Sequence, residues 1–134
     1  DDPQQPSILN TALHYAGESL ATLPDVTSAI VMYIFQSIMN FFVASGSGQA
    51  ALTMPIMAPL SDIAGVTRQV SVLCFQFGDG LTNLVIPTSA SLMGCLGVAK
   101  ISYAQWLALV WRFQLLLTLM ASAVILFAVI TGYS

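Results

Sequence analysis

Between Trp106 and Ile130 the chain runs for about 25 residues with Arg112 as its one charge, enough at 1.5 Å per residue for about 37 Å of helix. In lipid such a stretch can only span as a helix, because its backbone N–H and C=O groups must be satisfied within the segment. Val26 to Val43 adds about 18 uncharged residues, roughly 27 Å of helix. Only 7% of the 134 residues are charged, against about a quarter in soluble domains, which argues against a water-soluble globule. An all-α membrane protein is expected, in contact with the lipid bilayer. Trp106, Trp111 and Tyr133 suit the aromatic belts, and Arg112 can snorkel to the interface.

The remaining segments are less regular. Residues 1–7 are polar and Pro-containing and read as a loop. Over 8–23, apolar Ile8, Leu9, Ala12, Leu13, Ala16, Leu20 and Leu23 form one stripe opposite Asn10, His14, Glu18 and Ser19. This is an expected interfacial helix, too short and polar to span, with His14 and Glu18 on its solvated face. Pro24 breaks it, and Asp25 or Thr27 are candidate N-caps for the next helix. Two glycines in Ser45-Gly46-Ser47-Gly48-Gln49 are expected to end that helix. Gln49–Leu60 is apolar for about 12 residues, roughly 18 Å of helix, and contains Pro55 and Pro59. It reads as the returning arm of a re-entrant hairpin over 26–60. Ser61–Thr67 reads as a loop. From Arg68 a second apolar segment runs to Phe77, meets Gly78-Asp79-Gly80, and resumes from Leu84 to Ala99. That is the pattern of a discontinuous helix over 68–99. A turn follows at Lys100–Tyr103, and the transmembrane helix is expected over 104–130, within a membrane unit over 8–134.

Several function classes fall away. A net charge of −3 with three basic residues argues against nucleic acid. Cys74 and Cys95 have neither CxxC spacing nor a ligand cluster and read as small packing residues. There is no Walker loop, HExxH or GxSxG, so neither an enzyme nor a cofactor is expected. No signal peptide is evident, and the absence of an initiator Met suggests a fragment.

The two interrupted apolar segments carry the chemistry. Paired breaks of this kind point to a midplane solute site in a transporter. Asp79 would lie at membrane depth, where an ionisable residue marks function, on backbone unwound by its two glycines. Ser45, Gly46, Ser47 and Gln49 at one break, with Asn83, Thr88 and Ser89 at the other, are the candidate substrate-binding residues. Asp79 with Gly78, Gly80 and Thr82 are the candidate ion-coupling residues, with a Na⁺ near Asp79. Helix N-termini near Gln49 and Leu84 suit a carboxylate, and freed carbonyls beside Asp79 suit a cation. The competing readings are structural. The SGSG stretch can be a tight packing turn, and Asp79 a cap for the helix at Leu84 or a partner of Arg68 or Arg112. Gln36 and Asn40 read as interhelical glue, and Phe41, Phe42, Phe75 and Phe77 as packing residues. As a whole, the chain reads as part of a secondary carrier, with a small membrane interaction protein and a pore-lining channel subunit as rivals.

SGSGQAALTMPIMAPL (Ser45–Leu60) followed by GVTRQVSVLCFQFGDGLTNLVIPTSASLMGCLGVAKI (Gly65–Ile101) resembles the C-terminal half of the YfcC-like branch of the anaerobic C4-dicarboxylate carriers, the DcuC-like family of the ion transporter superfamily. The likeness runs from about Ile8 to Trp111 and rests on SGSGQ, TRQ, FGDG-x-x-N and IPTS in that order. It implies one partial inverted repeat of a multi-pass carrier in the bacterial inner membrane: arm helix, re-entrant hairpin, broken helix and last helix. The N-terminal repeat would be missing, and a homodimer is possible for such carriers. By the same likeness, tip and break together hold a small organic anion or amino acid and a coupling ion, Na⁺ or H⁺, by symport or antiport. Dicarboxylate-type members often carry Ser-Asn-Thr at the tip, where this chain has Ser-Gly-Ser-Gly-Gln. Some relatives are described as basic amino-acid antiporters, and Asp79 would suit an ammonium or guanidinium group. Lys100 on the cytoplasmic side would set the hairpin to enter from outside.

Overall fold

The computed structural model describes Tyr15, Glu18 and residues 22–133. The loop expected over 1–7 and most of the interfacial helix over 8–23, His14 included, lie outside the described residues. Tyr15 and Glu18 are helical and exposed.

Five helices follow, with no strand among the described residues: α1 (Asp25–Phe42), α2 (Gly46–Ile63), α3 (Arg68–Thr82), α4 (Ala90–Ala99) and α5 (Tyr103–Thr131). Two are long and apolar enough to cross a membrane, α1 with 18 residues and α5 with 29. α1 is not capped by Asp25 or Thr27. Pro24 holds the N-cap position, and its carbonyl accepts from the N–H groups of Thr27 and Ser28 at 2.8 and 3.1 Å. Asp25 instead places a negative charge in the first turn, where the helix dipole favours it.

Each later helix starts at a hydroxyl. Ser45, Thr67, Ser89 and Ser102 each accept from the N–H three residues on, satisfying a first-turn donor that has no intrahelical acceptor. The tip therefore differs from expectation: the two glycines open α2 rather than end α1, and the connection is only Val43–Ser45. α2 has 18 residues rather than about 12 and carries Pro55 and Pro59 inside it, so the loop after it is 64–67. Gly65 turns that loop with φ +70, a conformation that a side chain would strain.

α3 packs most extensively on α1, and also against α2 and α5. The core is small-residue rich: Ala29 and Met32 from α1, Met57 and Leu60 from α2, Val70 and Cys74 from α3, Ala121, Ile125 and Ala128 from α5. Cys74 is buried, its thiol donating to the Ala29 carbonyl at 3.3 Å, whereas Cys95 is exposed and not the packing residue expected. Phe75 is buried and Phe77 packs on the core as expected. Phe41 and Phe42 are exposed and meet edge to face at 5.5 Å. Large apolar side chains of α5 such as Leu109, Leu119, Phe127 and Ile130 point outward, as a lipid-facing or partner-facing helix requires.

Candidate functional site

Gly78-Asp79-Gly80 is not unwound. α3 runs as helix through all three to Thr82, and the non-helical backbone lies at Asn83–Ser89 instead. Two glycines in a helix interior cost about 1 kcal/mol each relative to alanine, so something must offset them. At Gly78 it is close packing: a Cβ there would lie 2.7 Å from Gln36 Cβ and 3.0 Å from the Ser37 nitrogen. Only glycine lets α3 approach the α1 backbone this nearly. Gly80, by contrast, faces open space. The break belongs to Pro87, which has no N–H and whose ring excludes a helical carbonyl four residues back. No helix starts at Leu84; α4 begins at Ala90.

The two breaks nevertheless supply groups that meet around Asp79. Gly46, the first residue of α2, abuts its carboxylate so closely that a Cβ would lie 2.9 Å from Asp79 Oδ2. The α2 N-terminus, with first-turn N–H groups at Gly46 and Ser47 lacking intrahelical acceptors, thus sits beside a fixed acid. Asn83 Nδ2 donates to Asp79 Oδ1 and to the Asp79 carbonyl, both at 2.9 Å. Asn40 of α1 donates to the same carbonyl at 3.1 Å. Asp79 is therefore neither the cap of a helix at Leu84 nor the partner of a described arginine. Arg68 pairs with Asp62 at 2.6 Å, and Arg112 lies over the Trp111 ring at 5.5 Å.

Behind Asp79 a buried amide–hydroxyl network joins α1 to α2. Gln49 Nε2 donates to the Gln36 carbonyl at 2.9 Å and to Gln36 Oε1 at 2.8 Å. Gln36 Nε2 donates to Thr53 Oγ1 at 3.1 Å, and the Thr53 hydroxyl sits 2.9 Å from the Gln49 carbonyl, to which it donates. The expectation that Gln36 and Asn40 act as interhelical glue matches these bonds. Asn40 Oδ1 and Gln49 Oε1 are buried without a partner.

The remaining candidates are placed less centrally. Ser45 caps α2, and Ser47 is exposed on its first turn. Thr88 is exposed in the break, and the buried Ser89 accepts from the Leu92 N–H at 3.5 Å. Thr82 lines a separate groove of about 550 Å³ with Tyr33, Ser37, Phe41, Gln114 and Thr118. No cluster of metal-ligating side chains occurs among the described residues. Tyr103, expected only within a turn, and Trp106, expected at the membrane interface, both reach the break. Trp106 Nε1 donates to the Leu84 carbonyl at 2.9 Å, and the Tyr103 hydroxyl donates to that of Val85.

Fold and site together define a helix bundle with two helices long and apolar enough to cross a membrane, in which a polar helix start is set against the Asp79 carboxylate. Residues 3–130 match the model of the DcuC family, the C4-dicarboxylate anaerobic carriers, and the chain belongs to that family. It is similar to the Escherichia coli (strain K12) protein described as "Putative basic amino acid antiporter YfcC", 49% identical over 95% of this chain and 25% of that protein. It is also similar to an uncharacterized protein of Haemophilus influenzae, 31% identical over 80% of this chain and 21% of that protein. The chain thus spans about a quarter of the length of these relatives. No solved structure matches it.

Proposed function

We propose that this chain is the C-terminal part of an ion-coupled secondary carrier for small carboxylates or amino acids, working by alternating access in the bacterial inner membrane. The observation that carries this is the contact of Gly46 with the Asp79 carboxylate, which joins the α1–α2 tip to the acid of the broken segment. The α1–α2 pair acts as a re-entrant hairpin, and α3, the break and α4 act as the discontinuous helix. Ser45, Gly46, Ser47, Gln49, Asn83, Thr88 and Ser89 contact substrate. Asp79, with Thr82 and Gly80 near it and Gly78 fixing its helix against α1, holds the coupling ion, Na⁺ or H⁺. The missing N-terminal repeat completes the site, and homodimerisation would supply a scaffold.

Charge narrows the substrate. A dianion brought within a few ångströms of Asp79 is repelled, by about 4 kcal/mol per charge pair at 4 Å and an effective dielectric of 20. A cation bound with it, or a substrate bearing its own ammonium or guanidinium group, removes that conflict. The name of the Escherichia coli relative supports the second route, exchange of basic amino acids.

The test is uptake by the full-length carrier in proteoliposomes, with labelled succinate and labelled arginine, with and without a Na⁺ gradient. Saturable, ion-coupled uptake that loses its coupling in Asp79→Asn, while the protein still inserts, is the expected result. Ohmic, unsaturated flux would replace the carrier with a channel, and coupled uptake unaltered by Asp79→Asn would remove Asp79 from the mechanism.

A further inference from the structure

We infer that Tyr103 and Trp106, on the first turn of α5, are positioning residues that hold the α3–α4 break in the shape its binding groups require. This rests on the carrier reading above and adds two residues outside both broken segments.

Past Thr82 the chain turns on itself: the N–H groups of Val85 and Ile86 both return to the Thr82 carbonyl, at 3.0 and 3.1 Å. Pro87 offers no N–H, and the Ser89 N–H goes to the Ile86 carbonyl at 3.3 Å rather than four residues back to Val85. Leu84 and Val85 are left with carbonyls that have lost their helical donors. In a membrane, freed carbonyls must find a partner, and a discontinuous helix commonly gives them to a cation. Here both are taken by neighbouring side chains: the indole N–H of Trp106 donates to Leu84 O at 2.9 Å, and the Tyr103 hydroxyl to Val85 O.

The donors are themselves held. α5 starts with a capping box, in which Ser102 Oγ accepts from the Gln105 N–H at 3.3 Å and Gln105 Oε1 accepts from the Ser102 N–H at 3.1 Å. Lys100, at φ 56, turns the chain from α4 into that cap. Indole and phenol side chains have two χ angles each, so fixing them costs little entropy. The turn is thus a stiff two-point clamp on consecutive carbonyls. Two consequences follow. The acceptors the break region leaves for a ligand are side-chain oxygens, those of Asp79, Asn83, Thr88 and Ser89, rather than the Leu84 and Val85 carbonyls. Any movement of the break during transport carries the start of α5 with it.

The test uses the full-length carrier with Trp106→Phe and Tyr103→Phe, each of which retains an aromatic ring and deletes the donor. Each should raise the KM for the transported solute, succinate or arginine, by about tenfold, the scale of one ordinary hydrogen bond, with Vmax near wild type and only the small loss of thermal stability that one unpaired carbonyl brings. A second readout does not need transport. Thr88→Cys, in a background lacking other reactive cysteines, should react faster with a hydrophilic maleimide when Trp106→Phe is added. Unchanged labelling, or loss of Vmax in place of the KM change, overturns the clamp. If neither solute is transported, the substrate proposal fails while the labelling rate still decides the role of Trp106.

Discussion

Gly78 of α3 lies against Gln36 of α1 so nearly that a single added carbon would sit 2.7 Å from the Gln36 Cβ. The nearest atoms include backbone of α1, so a flexible side chain swinging aside cannot relieve the clash. Gly78→Ala should therefore cost about 1–3 kcal/mol through overpacking, despite alanine's better helix propensity. Gly80→Ala, two residues on in the same helix and facing open space, should be neutral or gain up to about 1 kcal/mol. Thermal unfolding of the purified carrier measures both, and equal effects at the two positions would refute the close-packing account.

At Gly46 the added carbon would meet the Asp79 carboxylate, 2.9 Å from Oδ2, rather than backbone. A carboxylate can rotate away, so Gly46→Ala should cost little stability but move the acid from its place beside the α2 N-terminus. Uptake should fall by tenfold or more, the scale of a binding group misplaced by about 1 Å, with insertion and unfolding temperature near wild type. Gly48→Ala meets Ser45 Oγ at 3.3 Å and touches no acid, so its uptake should remain within a few-fold of wild type. Uptake and thermal-shift measurements on the two variants separate transport from folding.

Helix existence was legible wherever length and apolarity sufficed. Trp106–Ile130 lies within α5, and Val26–Val43 differs from α1 by one residue at either end. The second break is not legible from glycine content: the sequence pattern puts it at Gly78-Asp79-Gly80, whereas Pro87 sets it over 83–89. The glycines stay helical since α1 packs where a Cβ would have been, a tertiary cause that a linear pattern does not display. Pro87 lacks a donor under any packing. Hydroxyls also marked the helix starts: Ser45, Thr67, Ser89 and Ser102 all begin helices, and reading them as caps places α2 and α4 correctly. The meeting of Gly46 with Asp79, 33 positions apart, has no counterpart in local sequence. The same holds for the aromatic donors of α5, since Trp and Tyr near a helix end read equally well as interface anchors.

The Gln36–Gln49–Thr53 network makes a sharper energetic claim. Gln36 is fully buried and its side-chain amide serves both Gln49 and Thr53. Gln36→Leu keeps most of the volume but removes one partner each from Gln49 and Thr53, which keep their bonds to the Gln36 and Gln49 carbonyls, at about 0.5–1.5 kcal/mol each. Thr53→Val removes one hydroxyl from the same cluster with little change in shape and should cost about 1 kcal/mol. Adding Thr53→Val to Gln36→Leu should then cost less than it does alone, because the hydroxyl has already lost Gln36. A double-mutant cycle in denaturant or thermal unfolding reads this coupling, and strict additivity would show that the bonds contribute independently.

The pH response of the α2–α3 connection has a defined sign. The hydrogen bonds from Arg68, reinforced by its charge, hold the Asp62 carboxyl below its ordinary value of 3.8. A carboxyl whose folded pKa is depressed contributes stability above its unfolded pKa and loses it as pH falls through the folded one. Both side chains are exposed, 69% for Arg68 and 49% for Asp62, so solvent and salt screen the pair and its contribution is small. Wild type and Asp62→Asn should therefore differ slightly and constantly between pH 5 and 8. The gap should close only as the pH drops below 3.8, and it should shrink in high salt. Unfolding temperatures of the two proteins across that range check it, and a gap that changed near neutral pH would assign the response to another group.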